Sequence, residues 1–242
     1  LYVFTLKDQF PTIAGHLISA SILSAPAAIV MSKILLPEES VPKTLGVSIK
    51  PHYVKDSNFF EAIINGAQAG VKVIVGVASL LIAVLGLIAL ADILFKAVGT
   101  PLNSMLGIHI DWSLKGLMGY IFYPFTFLLG VAPVDVLEIS KIIGERTIAT
   151  EVAGYQDLAI SLSKNLIKEP RSAIIASYAL CGFAHVASLA IFVGGVSALV
   201  PQKTRELSQI GFRALVAATL ACMMTACIAG VFLSGNSLLF GK

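Results

Sequence analysis

The chain has 242 residues, 57% hydrophobic and 13% charged, with a formal net charge of +3. Soluble domains carry about a quarter charged residues, so with a mean hydropathy of +0.88 this composition suits a lipid bilayer as solvent. The few positive charges form no basic stripe with interleaved aromatics, which argues against nucleic-acid binding. Cys181, Cys222 and Cys227 all lie in apolar runs without metal-type spacing. They read as small buried hydrophobes, not as a disulfide framework.

The first residues, LYVFTL, have no basic n-region and no small-residue cleavage site. They are not a signal peptide and read as the middle of something longer. A bilayer core of about 30 Å needs about 20 apolar residues of helix. Residues 12–36 are a weak candidate, interrupted by His16, Ser19, Ser21, Ser24, Pro26 and Lys33, and read as a helix packed among others instead of facing lipid. Residues 36–57 carry Pro37, Pro42, Pro51, Lys43, Lys50 and Lys55. The positive-inside rule puts this helix-breaking basic loop in the cytoplasm. Residues 61–70, EAIINGAQAG, predict a short helix entering the uncharged span 73–91, VIVGVASLLIAVLGLIALA. Residues 116–132, GLMGYIFYPFTFLLGVA, are short and interrupted by Pro124. With Asp111, Trp112, Tyr120 and Tyr123 close by, they suit an interfacial helix at headgroup level.

In residues 134–167, two apolar pieces, each too short to span, flank GERTIATEVAG, with Glu145, Arg146, Glu151 and two glycines. Together they read as a re-entrant hairpin with a polar tip. Non-helical backbone at membrane depth is tolerated only against protein or a water-filled cavity, as in a transporter site. Residues 172–200 hold 29 residues without a charge, yet Gly182, His185, Ser188 and the Gly194-Gly195 pair interrupt them. Residues 201–213 read as a basic turn, with Lys203, Arg205 and Arg213 against Glu206, which is cytoplasmic by the same rule and leaves the C-terminus outside. The last span is 214–240. Its Ala214, Ala218, Cys222, Ala226 and Gly230 recur every four residues, a small-residue stripe that lets another helix approach closely.

Glu151 is the strongest functional candidate. A carboxylate between two short membrane segments costs about 2.5–3.5 kcal/mol when unpaired, so it faces a pathway or a partner. The plainer alternatives are a salt bridge to Arg146 or a loop glutamate reaching water. His185 and Ser188 share a helix face if the helix continues. Gly182 weakens that helix by about 1 kcal/mol relative to alanine, and a break there would offer carbonyls and amides as ligand groups. The alternative is a packed histidine donating to a neighbouring helix, with Ser188 bonding back to its own. Phe183 reads as core more than as a stacking residue, and Gly194-Gly195 as a close helix contact. No Ser/His/Asp triad, phosphate loop or metal cluster stands out. His16, His52, His109 and His185 are widely separated, which speaks against an intramembrane hydrolase.

Several blocks resemble the concentrative nucleoside transporter family. HLISASILSAPAAIVMSKILLPE (16–38) is similar to the family's helix with an S-A-P-A core and following P-E, and EAIINGAQAG to its E-A-x-x-x-G-A segment. YIFYPFTFLLGV (120–131) is similar to P-F-x-x-x-x-G-V, and IGERTIATEVAGYQDL (143–158) to I-G-x-K-x-x-x-N-E-F-x-A-Y-x-x-L. RSAIIASYALCGFAHVASLAIFVGGVSALVPQ (171–202) and RALVAATLACMMTACIAG (213–230) match most closely. The resemblance implies an all-α integral membrane fold with transmembrane helices, a re-entrant helical hairpin and a discontinuous helix. The odd middle of 181–195 is then the unwound part of that broken helix.

By the same resemblance, Glu151 takes the place of a hairpin-tip glutamate contacting ribose hydroxyls, Phe183 lies beside the substrate and Ser188 at the ribose site. His185 and Thr150 stand where the family has asparagines, and Val152 replaces a phenylalanine. Neutral histidine keeps one donor and one acceptor on a larger, titratable ring. The family's first hairpin, with its base-contacting residues and much of the coupling-ion site, has no counterpart here. The expected division is 1–36 (end of a broken helix plus the next span), 37–72 (cytoplasmic loop and short helix), 73–132 (scaffold span and interfacial helix), 133–168 (re-entrant hairpin) and 169–242 (broken helix and final span). The implied function is Na+- or H+-coupled uptake of nucleosides such as uridine or adenosine by alternating access, without covalent chemistry or a cofactor. The implied setting is a homotrimer in a plasma or bacterial inner membrane. The rivals are a truncated, non-transporting membrane protein that binds nucleoside or assembles with a partner half, and an intramembrane enzyme using Glu151 and His185 as acid and base.

Overall fold

The computed structural model describes residues 1–41 and 56–233. Most of the expected loop 36–57 and the end of the last span lie outside the described residues. Within them the chain is helical, and no strand is present. A short helix, α1 (Tyr2–Leu6), leads to α2 (Ile13–Leu35). Then come α3 (Phe59–Leu106), α4 (Leu114–Leu128), α5 (Val136–Ile148) and α6 (Glu151–Ser163). The chain ends with α7 (Pro170–Leu180), α8 (Val186–Leu199), a 3₁₀ turn at Pro201–Lys203, and α9 (Thr204–Phe232). The segments Ile13–Leu35, Phe59–Leu106 and Pro201–Phe232 are long and apolar enough to cross a bilayer.

The core gathers around α5, α6 and α7, with Val136, Ile139, Tyr155, Leu158, Ile175 and Leu180 almost inaccessible. α4 lies along α5, and α9 packs against both α2 and α7. Gly119 and Gly144 bring α4 and α5 together: a Cβ on Gly144 would lie 2.7 Å from the Met118 carbonyl carbon. α3 lies outside this core and touches α8, where a Cβ on Gly194 would lie 3.0 Å from the Gly76 carbonyl oxygen. The close contact expected of Gly194-Gly195 is therefore with α3.

Several elements differ from the sequence expectation. The short helix at 61–70 and the span at 73–91 are one helix of 48 residues, about 72 Å long at 1.5 Å per residue. Asn58 caps it by accepting from Glu61 N–H at 2.9 Å, and Gly66 and Gly70 face open space, so nothing forces a break. α4 runs through Pro124, since a proline removes one backbone bond while its neighbours keep theirs. The turn expected at 201–213 shrinks to Pro201–Lys203, and Arg205, Glu206 and Arg213 lie on α9. α2 is not enclosed by other helices in this chain: Ile13, His16, Ala20 and Ala27 are buried while Ile18, Ile22 and Ile29 are exposed. The period-four stripe on α9 is buried only from Cys222 onward, and Ala217 and Ala221 take the place of the exposed Ala214. Steps of four residues drift by about 40° each around a 3.6-residue helix, so one stripe cannot keep to one face.

Candidate functional site

Two helix starts meet at the site. The chain turns at Ala149 and Thr150, and Thr150 Oγ1 caps α6 by accepting from Ala153 N–H at 3.3 Å. Glu151 is thereby the first residue of α6, a carboxylate at the positive end of a helix dipole. Glu145 and Arg146, expected at a polar tip, belong to the last turn of α5. The tip is only Ala149-Thr150.

The second start is α8. α7 ends at Leu180, and residues 181–185 are not helical. His185 is the N-cap of α8. Its Nδ1 accepts from Ser188 N–H at 2.9 Å, while Ser188 Oγ accepts from His185 N–H at 3.0 Å. This reciprocal arrangement is a capping box. Ser188 Oγ turns its own proton to the His185 carbonyl at 2.6 Å. An Nδ1 that accepts carries no proton, so the neutral ring holds its proton on Nε2. Nε2 faces Glu151 Oε2 in direct contact.

The other carboxylate oxygen, Oε1, accepts from the Tyr2 hydroxyl at 2.9 Å. Tyr2 stacks on Tyr155 at 4.5 Å between ring centroids, and Tyr155 donates to the Ser177 carbonyl at 2.8 Å. Glu151 therefore has a phenol donating to one oxygen and the imidazole Nε2 in contact with the other. His185 and Ser188 are 1% and 3% exposed, and the Glu151 side chain 17%. Phe183 is 53% exposed and meets the His185 ring edge-on at 5.2 Å. Beside it, α8 and α9 leave a mainly apolar groove of about 220 Å³, reached by Phe183, Ser188, Phe192 and Leu215.

The structure thus brings together Glu151, His185, Ser188 and Phe183, with Thr150 at the adjoining helix start. The hydroxyls of Thr150 and Ser188 are engaged in caps. His185 and Ser188 meet across a helix start, not along a continuing face. The salt bridge weighed between Glu151 and Arg146 is not formed. Arg146 Nη2 instead donates to the Gly182 carbonyl at 3.2 Å and lies 2.9 Å from Cys222 Sγ. Sequence reasoning missed Tyr2, a tyrosine at the edge of an apolar stretch whose partner lies 149 positions away. No local pattern announces that pairing.

The family model described as "Na+ dependent nucleoside transporter C-terminus" matches residues 16–230. The chain is 34% identical over 236 residues to solute carrier family 28 member 3 of Mus musculus, covering 92% of this chain and 33% of that protein. It is 32% identical over 231 residues to sodium/nucleoside cotransporter 1 of Rattus norvegicus, covering 90% of this chain and 35% of that protein. It is also similar to the solved structure of CNTnw in an inward-facing substrate-bound state, with 30% identity, a TM-score of 0.65, and 92% and 52% of the two chains covered. A doubly substituted CNTnw in an outward-facing state gives a TM-score of 0.77 at 28% identity, covering 90% of this chain and 50% of that one. The chain spans about a third of these mammalian relatives and about half of CNTnw. These relatives are transporters, which removes the acid–base enzyme reading. With its whole series of motifs from 16 to 230 matched, the chain belongs to the concentrative nucleoside transporter family, as its C-terminal region.

Proposed function

We propose that this chain is the ribose-side half of a cation-coupled nucleoside symporter that works by alternating access. One observation carries the reading: Glu151 stands where the starts of α6 and α8 meet, with the Tyr2 hydroxyl donating to one carboxylate oxygen and His185 Nε2 in contact with the other. A ribose hydroxyl can replace one donor on the carboxylate, while a second accepts from His185 Nε2–H. Phe183, half exposed beside them, offers a face to the base. Thr150 and Ser188 complete the pocket at the two helix starts. The reading is supported by relatives named for sodium/nucleoside cotransport and by CNTnw captured facing outward and facing inward with substrate.

In this reading the substrates are nucleosides such as uridine or adenosine, and the coupling ion is Na+ or H+, bound mostly by the part of the protein beyond this chain. α5 and α6, 13 residues each, are too short to span and form the re-entrant hairpin. α7 and α8 are the two halves of a discontinuous membrane helix. α4 lies at the interface, the basic segments face the cytoplasm, and the assembly is a homotrimer in a plasma or bacterial inner membrane. The test is uptake of labelled uridine and adenosine by the full-length protein and its Glu151→Gln form, at matched membrane expression. Native uptake, reduced at least about tenfold in the variant by the loss of a charge-assisted hydrogen bond, is the expected result. No uptake of either nucleoside by the well-expressed native protein would overturn the reading, and binding without accumulation would identify a non-transporting protein instead.

A further inference from the structure

Arg146 is 1% exposed, and among the described residues it makes no ion pair. A buried charge without a partner is strongly unfavourable, so its surroundings must compensate. Its stem passes Gly154 of α6, where a Cβ would lie 3.0 Å from Arg146 Cβ. Its guanidinium ends at Gly182, where a Cβ would lie 2.3 Å from Cys222 Sγ and 3.5 Å from Arg146 Nη2. The side chain thus runs from α5 to the break between α7 and α8 past two close-packed glycines: a Cβ on Gly154 would also press on Leu180 Cδ2 at 2.8 Å, and one on Gly182 would displace Cys222 Sγ, which Arg146 Nη2 meets.

The break is where α7 presents its negative end. Its carbonyls are met by donors from the chain itself. Ser177 O accepts from Tyr155 Oη at 2.8 Å, Tyr178 O from Cys181 N at 3.1 Å, and Leu180 O from Gly182 N at 2.9 Å. Gly182 O accepts from Ala184 N at 2.9 Å and from Arg146 Nη2 at 3.2 Å. In transporters with discontinuous helices, such unwound carbonyls and helix C-terminal ends commonly hold the coupling cation. Here the Arg146 guanidinium stands at that end, bonded to the Gly182 carbonyl.

We propose that Arg146 is a resident cation that takes the place of a bound ion at the α7–α8 break and positions the Gly182 carbonyl. The inference rests on the symporter reading for its uptake and cation readouts only. Arg146 is a positioning residue: it acts on the site through the 181–185 segment whose last residue, His185, faces Glu151.

The experiment uses the full-length protein with Arg146→Ala and Arg146→Lys, read by the thermal midpoint in detergent and by uridine uptake. Arg146→Ala is expected to lower the midpoint and to cut uptake about tenfold, the worth of one hydrogen bond to a charged group. Millimolar guanidinium should restore the midpoint and part of the uptake, while tetramethylammonium should not. Arg146→Lys should retain uptake, with the native half-saturation for the coupling cation. A native midpoint and native uptake in Arg146→Ala would overturn the proposal, as would a failure of guanidinium to restore either. A shifted cation half-saturation in Arg146→Lys would place the coupling ion at the break and overturn it too. If the native protein takes up no nucleoside, the transport reading fails while the thermal measurements still decide the role of Arg146.

Discussion

At His185, one side chain does two jobs. Nδ1 caps α8 and Nε2 holds the Glu151 carboxylate, so neither nitrogen is free. Replacing His185 by alanine removes an N-cap, worth about 1–2 kcal/mol, and a donor to a charged acceptor, worth about 1.5–3 kcal/mol. Asparagine is among the best N-caps and carries an amide donor as well. His185→Asn is therefore expected to keep a near-native thermal midpoint and measurable nucleoside uptake, whereas His185→Ala loses several degrees and most of the uptake. Equal behaviour of the two variants would show that the cap is not what the position supplies. The sequence made Glu151, His185 and Ser188 visible because polar residues at the centre of apolar runs demand a reason; the same run marked Phe183 as core, where the structure leaves it half exposed, and only the family resemblance set it beside the substrate. It left Tyr2 and the true partners of Arg146 hidden, because contacts between distant helices depend on packing that no local spacing records.

At the scale of elements, the site depends on helices that start and stop at set places. α5 and α7 are held together at one end by Asp135. Its carboxylate is fully buried and accepts from Lys168 N–H at 2.8 Å and from Glu169 N–H at 3.0 Å. Asp135→Ala leaves both amides unpartnered, at a cost of about 1.5–3 kcal/mol per charge-assisted bond. Asp135→Asn keeps one acceptor and should lose about half as much. Limited trypsin cleavage at the exposed Lys168 and Arg171 reads this directly: faster in Asp135→Ala, intermediate in Asp135→Asn, and unchanged in both if the carboxylate does not anchor α7. The helix stop near 181 was half legible: Gly182, His185 and Ser188 crowd one short stretch, which left a continuing helix and a break both open, and the family resemblance pointed to the break. The continuity of α3 was not. Gly66, Gly70 and Pro101 are all weak helix residues, but the sequence does not say that the glycines face open space, where they force no break. The burial pattern of α9 also escaped a reading by fours, because the helix turns on a period of 3.6.

For the whole molecule, membrane class and family were legible from composition and from the string of motifs. The relation of the scaffold helix to the rest was not. α3 exposes its most apolar stretch, with none of that window buried within this chain, and meets the core mainly through α8. Such a surface suits lipid or further protein, consistent with a chain that spans about half of CNTnw. In the proposed cycle the α5–α6 hairpin and the α7–α8 break carry the sugar end of the substrate, while base recognition and ion coupling fall to the remainder. The most direct test of that division is competition against labelled uridine uptake by uridine and by its 2′-deoxy and 3′-deoxy analogues, in the native full-length protein and in Glu151→Gln. At least one missing hydroxyl is expected to weaken competition about tenfold or more in the native protein, the value of a hydrogen bond to a charged group, and this discrimination to shrink in Glu151→Gln. Equal competition by all three compounds in the native protein would contradict it, and would remove Glu151 and His185 from the sugar site.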